Sequence, residues 1–161
     1  MGGLPLWTHS IARWARRLES LWWLAVICLD KMFELPRGFP RRIALIALTL
    51  FFVAAGIGHF VNTDFYLSIM PAYLPAHLEL VYVSGVFEIL GGLAVLPLPT
   101  RRLAGYGLMA LLLAVFPANI HMALNPENYL AAGIPLWGLY ARLPLQFVCM
   151  GWAWWATQPE S

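Results

Sequence analysis

Charged residues are scarce in this chain: Lys, Arg, Asp and Glu make up 11% of its 161 residues, whereas 61% are hydrophobic. A soluble domain carries roughly 25% charged residues. One soluble core cannot bury so much apolar surface, so the composition predicts an integral membrane protein. The formal net charge of +2 is also too small to indicate a nucleic-acid-binding surface.

Cysteine is nearly absent as well, with only Cys28 and Cys149, far apart in the sequence. They form neither a disulfide framework nor a CxxC redox pair nor a metal motif. No nucleophile triad, phosphate loop or zinc motif is present either. We therefore predict no metal site, and we expect that the protein is not a catalyst on its own.

Four apolar stretches are each long enough to cross a bilayer, which takes about 20 helical residues. They run over Ile43–Asn62, Leu78–Leu96, Leu103–Leu124 and Ile134–Ala156. Pro, Asn and Asp separate them, and they are continuous rather than alternating, which excludes the pattern of barrel strands. The sequence predicts an all-α fold, a four-helix transmembrane bundle over residues 41–161.

The basic residues are distributed asymmetrically around this predicted bundle. Nine of the ten precede the first stretch or separate the second from the third, and the tenth, Arg142, lies within the fourth. Because Lys and Arg stay on the cytoplasmic side, both termini are expected inside, in a bacterial inner membrane. Several aromatic residues, Tyr66 and Tyr129 among them, are assigned to an outer belt without chemistry.

The first 40 residues form a separate segment. Leu21–Leu29 is apolar but too short to span a bilayer. Across Ser10–Leu35 apolar residues recur at helical spacing, with most polar residues off that stripe. We predict an amphipathic helix lying on the inner leaflet. A loosely ordered tail and a fifth span are the alternatives.

Each predicted span carries polar residues, and an ionised one costs at least about 2.5 kcal/mol in hydrocarbon. By helical rise they cluster in the outer half of the bundle. The candidate ligand-binding set is His59, Glu88, Asn119, His121, Arg142 and Gln146. Small residues on the same helices, such as Gly107, Ala110 and Ala114, predict packing faces that point inward, with the polar groups beside them.

Two pairs within this set suggest chemistry. Glu88 and Arg142 are predicted to form an ion pair, because arginine has no accessible neutral form. That pair either stabilises the packing of the helices or lines a small polar pocket that opens outward. His59 and His121 share a depth and could ligate a haem iron, bind a metal or hydrogen-bond a quinone. Otherwise each is an interfacial histidine satisfied by water or a neighbour. Nothing else in the sequence supports haem.

A series of motifs resembles the DoxX-like family of small bacterial membrane proteins. They are GIGHF (Gly56–Phe60), IMPAYLP (Ile69–Pro75), LVYVSGVFEILGGLAVL (Leu80–Leu96), TRRLAGYGL (Thr100–Leu108) and VFPANIHMAL (Val115–Leu124). The resemblance covers about Arg42–Trp155 and implies a four-helix membrane bundle. That family is named for a subunit linked to thiosulfate oxidation and quinone reduction, other relatives belong to redox-partner complexes, and distant ones resemble receptor-assembly chaperones. The chain lacks a cysteine pair for direct dithiol chemistry.

Two functions follow from these observations. The first is an auxiliary membrane subunit that holds a small polar or quinone-like ligand for an oxidoreductase system. The second is an interaction protein or chaperone that stabilises another membrane protein and uses the polar residues only for packing. Solute or proton transport is a weaker third, because four short helices leave little room unless the protein forms a homo-oligomer.

Overall fold

The structure, a computed structural model, describes Glu19, residues 21–130 and residues 133–159. It separates the chain into two compact units, Met1–Glu34 and Leu35–Ser161. In the first unit, residues 21–32 form helix α1, and residues 21–31 are exposed on every side, Trp22 and Trp23 included. Most of the first half of the amphipathic helix predicted over Ser10–Leu35 lies outside the described residues, and most of its second half is helical.

The second unit consists of six helices, and no strand occurs among the described residues. Helices α2 to α7 cover, in order, Phe39–Val61, Thr63–Ser68, His77–Ala94, Leu98–Leu124, Pro126–Leu130 and Leu136–Thr157. The all-α prediction is confirmed. The long helices α2, α4, α5 and α7 pack in a ring in which α2 contacts α4 and α7, and α5 contacts α4 and α7. We call the end where α2 and α5 finish and α4 and α7 begin the α3 end.

Three of these long helices, α2, α4 and α5, are long and apolar enough to cross a membrane, and no other described helix is. They carry large exposed apolar side chains, such as Leu50 and Phe87, on their outer surfaces. This is the surface of a membrane protein whose helices contact lipid. Helix α7 has a comparable length, but Arg142 and Gln146 lower its mean hydropathy.

Helix α5 begins at Leu98, five residues before the predicted start. Pro97 and Pro99, which were expected to separate two helices, lie at the start of α5 instead, where a missing N–H costs nothing. Arg101 therefore lies in the first turn and is buried. It donates from Nε to the Val95 carbonyl at 3.0 Å and from Nη2 to the Leu96 carbonyl at 2.7 Å. These bonds satisfy backbone acceptors at the end of α4.

Glycines bring α2 and α4 close together. A Cβ on Gly56 would lie 2.6 Å from the Gly85 carbonyl oxygen, and one on Gly85 would lie 2.7 Å from His59 Cβ. Further along, a Cβ on Gly92 would lie 3.1 Å from Phe52 Cβ. Only glycine permits this approach, which is the usual way in which membrane helices gain packing contact. The close approach sets His59 directly against α4.

The packing face of α5 differs from the predicted one. A Cβ on Gly107 would meet nothing within 4 Å, and Ala110 and Ala114 are exposed. The inward residues are Gly105, where a Cβ would meet Thr157, and Leu108. The prediction that the Gly107 stripe points inward is therefore wrong, because the α4 and α7 contacts are made by a neighbouring face of the helix.

Two apolar clusters lie at different levels of the second unit. One contains Leu45, Leu48, Phe52, Val95, Leu108, Ala153 and Ala156. The other, at the α3 end, contains Met122, Tyr129, Ile134 and Leu139. Along α5 and α7 the polar residues Asn119 and Gln146 fall between the two clusters. The clusters therefore hold the polar side chains in place from both sides.

Candidate functional site

His59 and Glu88 form a buried polar pair between α2 and α4. Nε2 of His59 lies 3.6 Å from Oε2 of Glu88, and the two side chains are only 11% and 15% exposed. On the other side of the ring, His59 Nδ1 lies 2.9 Å from the Val81 carbonyl oxygen. Among the described residues, Oε2 of Glu88 has no hydrogen-bond partner, since 3.6 Å exceeds hydrogen-bond length.

The contact with Val81 fixes where protons can sit on this pair. A carbonyl oxygen only accepts, so Nδ1–H of His59 donates to it. Nε2 is then bare in the neutral imidazole, and its lone pair would face those of an ionised Glu88 carboxylate. At 3.6 Å these two atoms do not share a hydrogen bond. A polar group that approaches Oε2 would therefore find an unused acceptor there.

Tyr66, in the short helix α3, stacks on one face of the His59 ring. The two ring centroids are 3.8 Å apart, and the planes are inclined by 27°. A Cβ on Gly58 would come 3.0 Å from the Tyr66 hydroxyl, so glycine leaves space for the phenol. Burial raises the pKa of Tyr66, the Glu88 carboxylate raises it further, and the Arg142 guanidinium lowers it. Both charged groups therefore lie within electrostatic reach of this phenol.

Asn119 and Gln146 join α5 to α7 at a second polar position. Asn119 Nδ2 donates to Gln146 Oε1 at 2.8 Å, and Gln146 Nε2 donates to the Leu112 carbonyl. Gln146 is 5% exposed, so its amide is satisfied within the protein. This arrangement is typical of a structural seam between helices, and it leaves little of Gln146 for a ligand.

His121 belongs to a third group, at the α3 end. Its Nδ1 lies 2.9 Å from the Tyr129 hydroxyl, and its ring meets Tyr73 edge to face with centroids 5.6 Å apart. Tyr129 is buried, and burial raises the pKa of its phenol. Among the described residues His121 and His59 do not contact each other, and each is held by a different tyrosine.

Arg142 lies apart from Glu88. No carboxylate among the described residues comes within 4.0 Å of its guanidinium. Among the described residues, the one hydrogen-bond contact of Arg142 is from Nη1 to the sulfur of Met122, at 3.9 Å. The predicted Glu88–Arg142 ion pair is therefore wrong: Glu88 faces His59, and the arginine reaches toward the end of α5.

The side chains that are present can be tested against the ligands suggested by the sequence. Haem does not fit His59, because Glu88 faces Nε2, the nitrogen that would have to ligate the iron while Nδ1 donates to Val81. No group of three His, Cys, Asp or Glu residues in the described parts of the chain could hold a metal ion. A quinone-like ligand needs hydrogen-bond donors, and the Tyr66 hydroxyl, the protonated His59–Glu88 pair and Arg142 are of that kind.

The aromatic partners of the two histidines were not predicted from the sequence. Tyr66 and Tyr129 were both assigned to an outer aromatic belt, yet one stacks on His59 and the other bonds His121. Both tyrosines lie in short helices between the long ones, where no periodicity shows which side chain turns inward. A general signal does exist, since buried tyrosines usually find a polar partner.

Comparison with known proteins places the chain in a family. Residues 48–157 match the profile of a family described as a domain of unknown function, DUF8561. The match covers most of the chain and most of helices α2 to α7, so the chain belongs to this family. No curated protein and no solved structure matches the chain.

Proposed function

We propose that this member of the DUF8561 family crosses the membrane four times, with α7 as the fourth span. The polar atoms that lower the hydropathy of α7 are turned toward α5 rather than outward. Gln146 bonds Asn119 and the Leu112 carbonyl, and Arg142 reaches Met122. A helix that turns its polar side chains toward a neighbouring helix can cross a bilayer despite a modest overall hydropathy.

The orientation we propose places both termini in the cytoplasm of a bacterium and the α3 end outside. The distribution of Lys and Arg supports it. Helix α1, exposed and rich in Trp and Leu, would then lie on the inner leaflet as an interfacial helix. The whole protein would reside in the inner membrane.

Thiol labelling tests this topology. Cys28 is exposed on α1, and Glu127 is exposed on α6. In a Cys149→Ser background, we expect an impermeant maleimide to label Cys28 only in inverted vesicles. In a background in which Cys28 is also replaced by serine, a Ser161→Cys variant should react only in inverted vesicles and a Glu127→Cys variant only in intact spheroplasts. Labelling of position 161 from outside would show that α7 does not cross.

The function we propose is that of an auxiliary subunit, without catalysis of its own, which holds a small polar or quinone-like ligand for a membrane redox system. The observation that carries it is the buried Glu88 Oε2, which lacks a hydrogen-bond partner beside His59. A polar atom left unpaired in this way typically costs about 1–3 kcal/mol. A ligand that offers a polar group there would recover this free energy. The redox assignment rests on the resemblance of the motifs to DoxX-like proteins.

The ligand would be held by residues with different tasks. The His59–Glu88 pair would bond its polar group, and Val81 keeps Nδ1 of the imidazole as the donor. Tyr66 would hold the His59 ring in place by stacking on its face. Asn119 and Gln146 would fix the distance between α5 and α7 rather than touch the ligand.

A pair of carboxylate variants tests the proposal. Glu88→Gln removes the largely buried carboxylate that faces His59, whereas Glu79→Gln alters an exposed carboxylate in the first turn of the same helix. We expect Glu88→Gln to weaken binding of a short-chain alkyl benzoquinone at least tenfold, and Glu79→Gln to leave it unchanged. Circular dichroism establishes that both variants are folded.

Co-purification separates the ligand-binding function from the chaperone alternative. Mild-detergent purification followed by mass spectrometry should recover a small molecule with the wild-type protein and lose it with Glu88→Gln. If a membrane protein co-purifies equally with both, and no small molecule does, the polar residues serve packing and the ligand proposal is overturned.

A further inference from the structure

Arg142 is a cation that meets no carboxylate among the described residues. It is half-buried in α7, and its single hydrogen-bond contact there is to a thioether sulfur, which is a weak acceptor. A guanidinium carries five N–H donors in a planar fork and stays charged in proteins. Most of these donors therefore remain available for an oxygen ligand.

The guanidinium lies at the α3 end of the bundle. Met122, which it contacts, is the third residue from the end of α5, and Tyr66, whose phenol is within reach of its charge, lies in α3. The side chain of a helical residue leans toward the N-terminus of its helix, and the N-terminus of α7 is at this same end. Arg142 thus extends along α7 toward the surface that the proposed topology places outside.

Glu88, the acidic residue of the proposed site, does not serve as an anionic partner for Arg142. Glu88 faces His59 across the α2–α4 contact, and its carboxylate is more than 4.0 Å from any Arg142 nitrogen. The amide oxygen of Gln146 on α7 is also engaged, since it accepts from Asn119. A half-buried guanidinium with only a thioether acceptor is costly in a low-dielectric setting.

We propose that the ligand of this site is an amphiphile with an acidic oxygen headgroup, a phosphate or a carboxylate, which Arg142 binds. This inference rests on the proposed ligand-binding function and narrows its ligand class. A guanidinium matches two oxygens of such a group with two parallel N–H donors. The apolar part of the ligand lies against the lipid-facing side chains of the neighbouring helices, while the His59–Glu88 pair takes up a hydroxyl or carbonyl group nearby.

Matched probes test the headgroup directly. The protein is placed in nanodiscs of zwitterionic phosphatidylcholine, and binding is measured for an alkyl phosphate, an alkanoate and an alkanol of one chain length. Inorganic phosphate is measured as the headgroup without a tail. We expect at least one of the two acidic amphiphiles to bind at least tenfold more tightly than the alkanol. Tighter binding of inorganic phosphate than of the alkyl phosphate would mean that the ligand is a free anion, and it would overturn the proposal of an amphiphile.

Substitutions at Arg142 then assign the preference to this residue. Arg142→Gln should abolish the difference between the acidic probe and the alkanol, and Arg142→Lys should retain part of it, because lysine keeps the charge but not the planar fork. Arg102→Gln is the control, since that exposed arginine contacts Tyr106 on its own helix. An undiminished preference in Arg142→Gln would overturn the inference.

The outcomes also separate this inference from the proposed function. If the alkyl benzoquinone binds in a Glu88-dependent way and acidic probes bind no better than the alkanol, the site exists but its ligand is neutral. If no probe binds to the wild-type protein, both the site and its acidic ligand are wrong. If Arg142→Gln fails to fold, the wild-type probe series and Arg142→Lys still decide.

Discussion

The imidazole of His59 contacts both the phenol of Tyr66 and the carboxylate of Glu88. The phenol stacks on the ring with 3.8 Å between the centroids, and Oε2 of Glu88 lies 3.6 Å from Nε2. The backbone of α4 takes up its remaining nitrogen through Val81. These three contacts fix the orientation of the imidazole ring.

The glycine contact between α2 and α4 should control the stability of this arrangement. Gly85→Ala would place a methyl group 2.7 Å from His59 Cβ and 2.9 Å from the Gly56 carbonyl oxygen. Overpacking of this kind costs about 1–3 kcal/mol. Gly107→Ala is the control, because its methyl group meets nothing within 4 Å. In detergent, the thermal unfolding midpoint should fall for Gly85→Ala and stay unchanged for Gly107→Ala. Equal midpoints for the two variants would contradict the close approach of α2 and α4.

Two neighbouring arginines should differ sharply in their effect on stability. Arg101→Gln removes charged donors from the Val95 and Leu96 carbonyls at the end of α4. Hydrogen bonds to charged groups contribute about 1.5–3 kcal/mol. Arg102→Gln loses only weak contacts with exposed Tyr106. We expect a lower unfolding midpoint for Arg101→Gln than for Arg102→Gln, measured by circular dichroism, and the reverse order would refute the buried role.

The amide seam between α5 and α7 should behave as one coupled unit. Replacing either Asn119 or Gln146 by leucine leaves the other amide without its 2.8 Å partner. Replacing both removes that penalty, so the double variant should be less destabilised than the sum of the single variants. A double-mutant cycle should give a coupling of about 0.5–3 kcal/mol. Strict additivity would show that the two amides do not interact.

Titration of Tyr66 reports on the charges around the site. Since the Glu88 carboxylate raises the pKa of this phenol and the Arg142 guanidinium lowers it, Glu88→Gln should lower that pKa and Arg142→Gln should raise it. The difference in tyrosinate absorption between each variant and the same variant with Tyr66→Phe isolates the signal. Shifts in the opposite directions, or none, would place the two charges elsewhere.

The long helices were predictable from the sequence because hydrophobic runs near bilayer length have few alternatives. The predicted Ile43–Asn62 and the observed Phe39–Val61 differ by a few residues, and proline at a helix start explains the earlier onset of α5. Which face of a helix points inward was less predictable. Gly107 and Gly105 are two residues apart on the same helix, and only the neighbouring helices decide which is buried.

The polar residues of the site were identified individually but not their partners. A side chain that is costly in hydrocarbon is recognisable by type, so the six candidates were visible in the sequence. Pairing depends on helix register and on the chain between helices. The short helix α3 brings Tyr66 onto His59, and nothing in the spacing of those residues sets that contact.

The separation in sequence of the residues that bond one another implies an order of assembly during synthesis. Arg101 reaches carbonyls only five and six residues away, so the turn between α4 and α5 can close as soon as both helices have emerged from the ribosome. Asn119 must wait for Gln146, and Trp152 bonds the carbonyl of Ala44, 108 residues earlier. Helix α7, the last to be made, therefore bonds α2, the first of the four long helices.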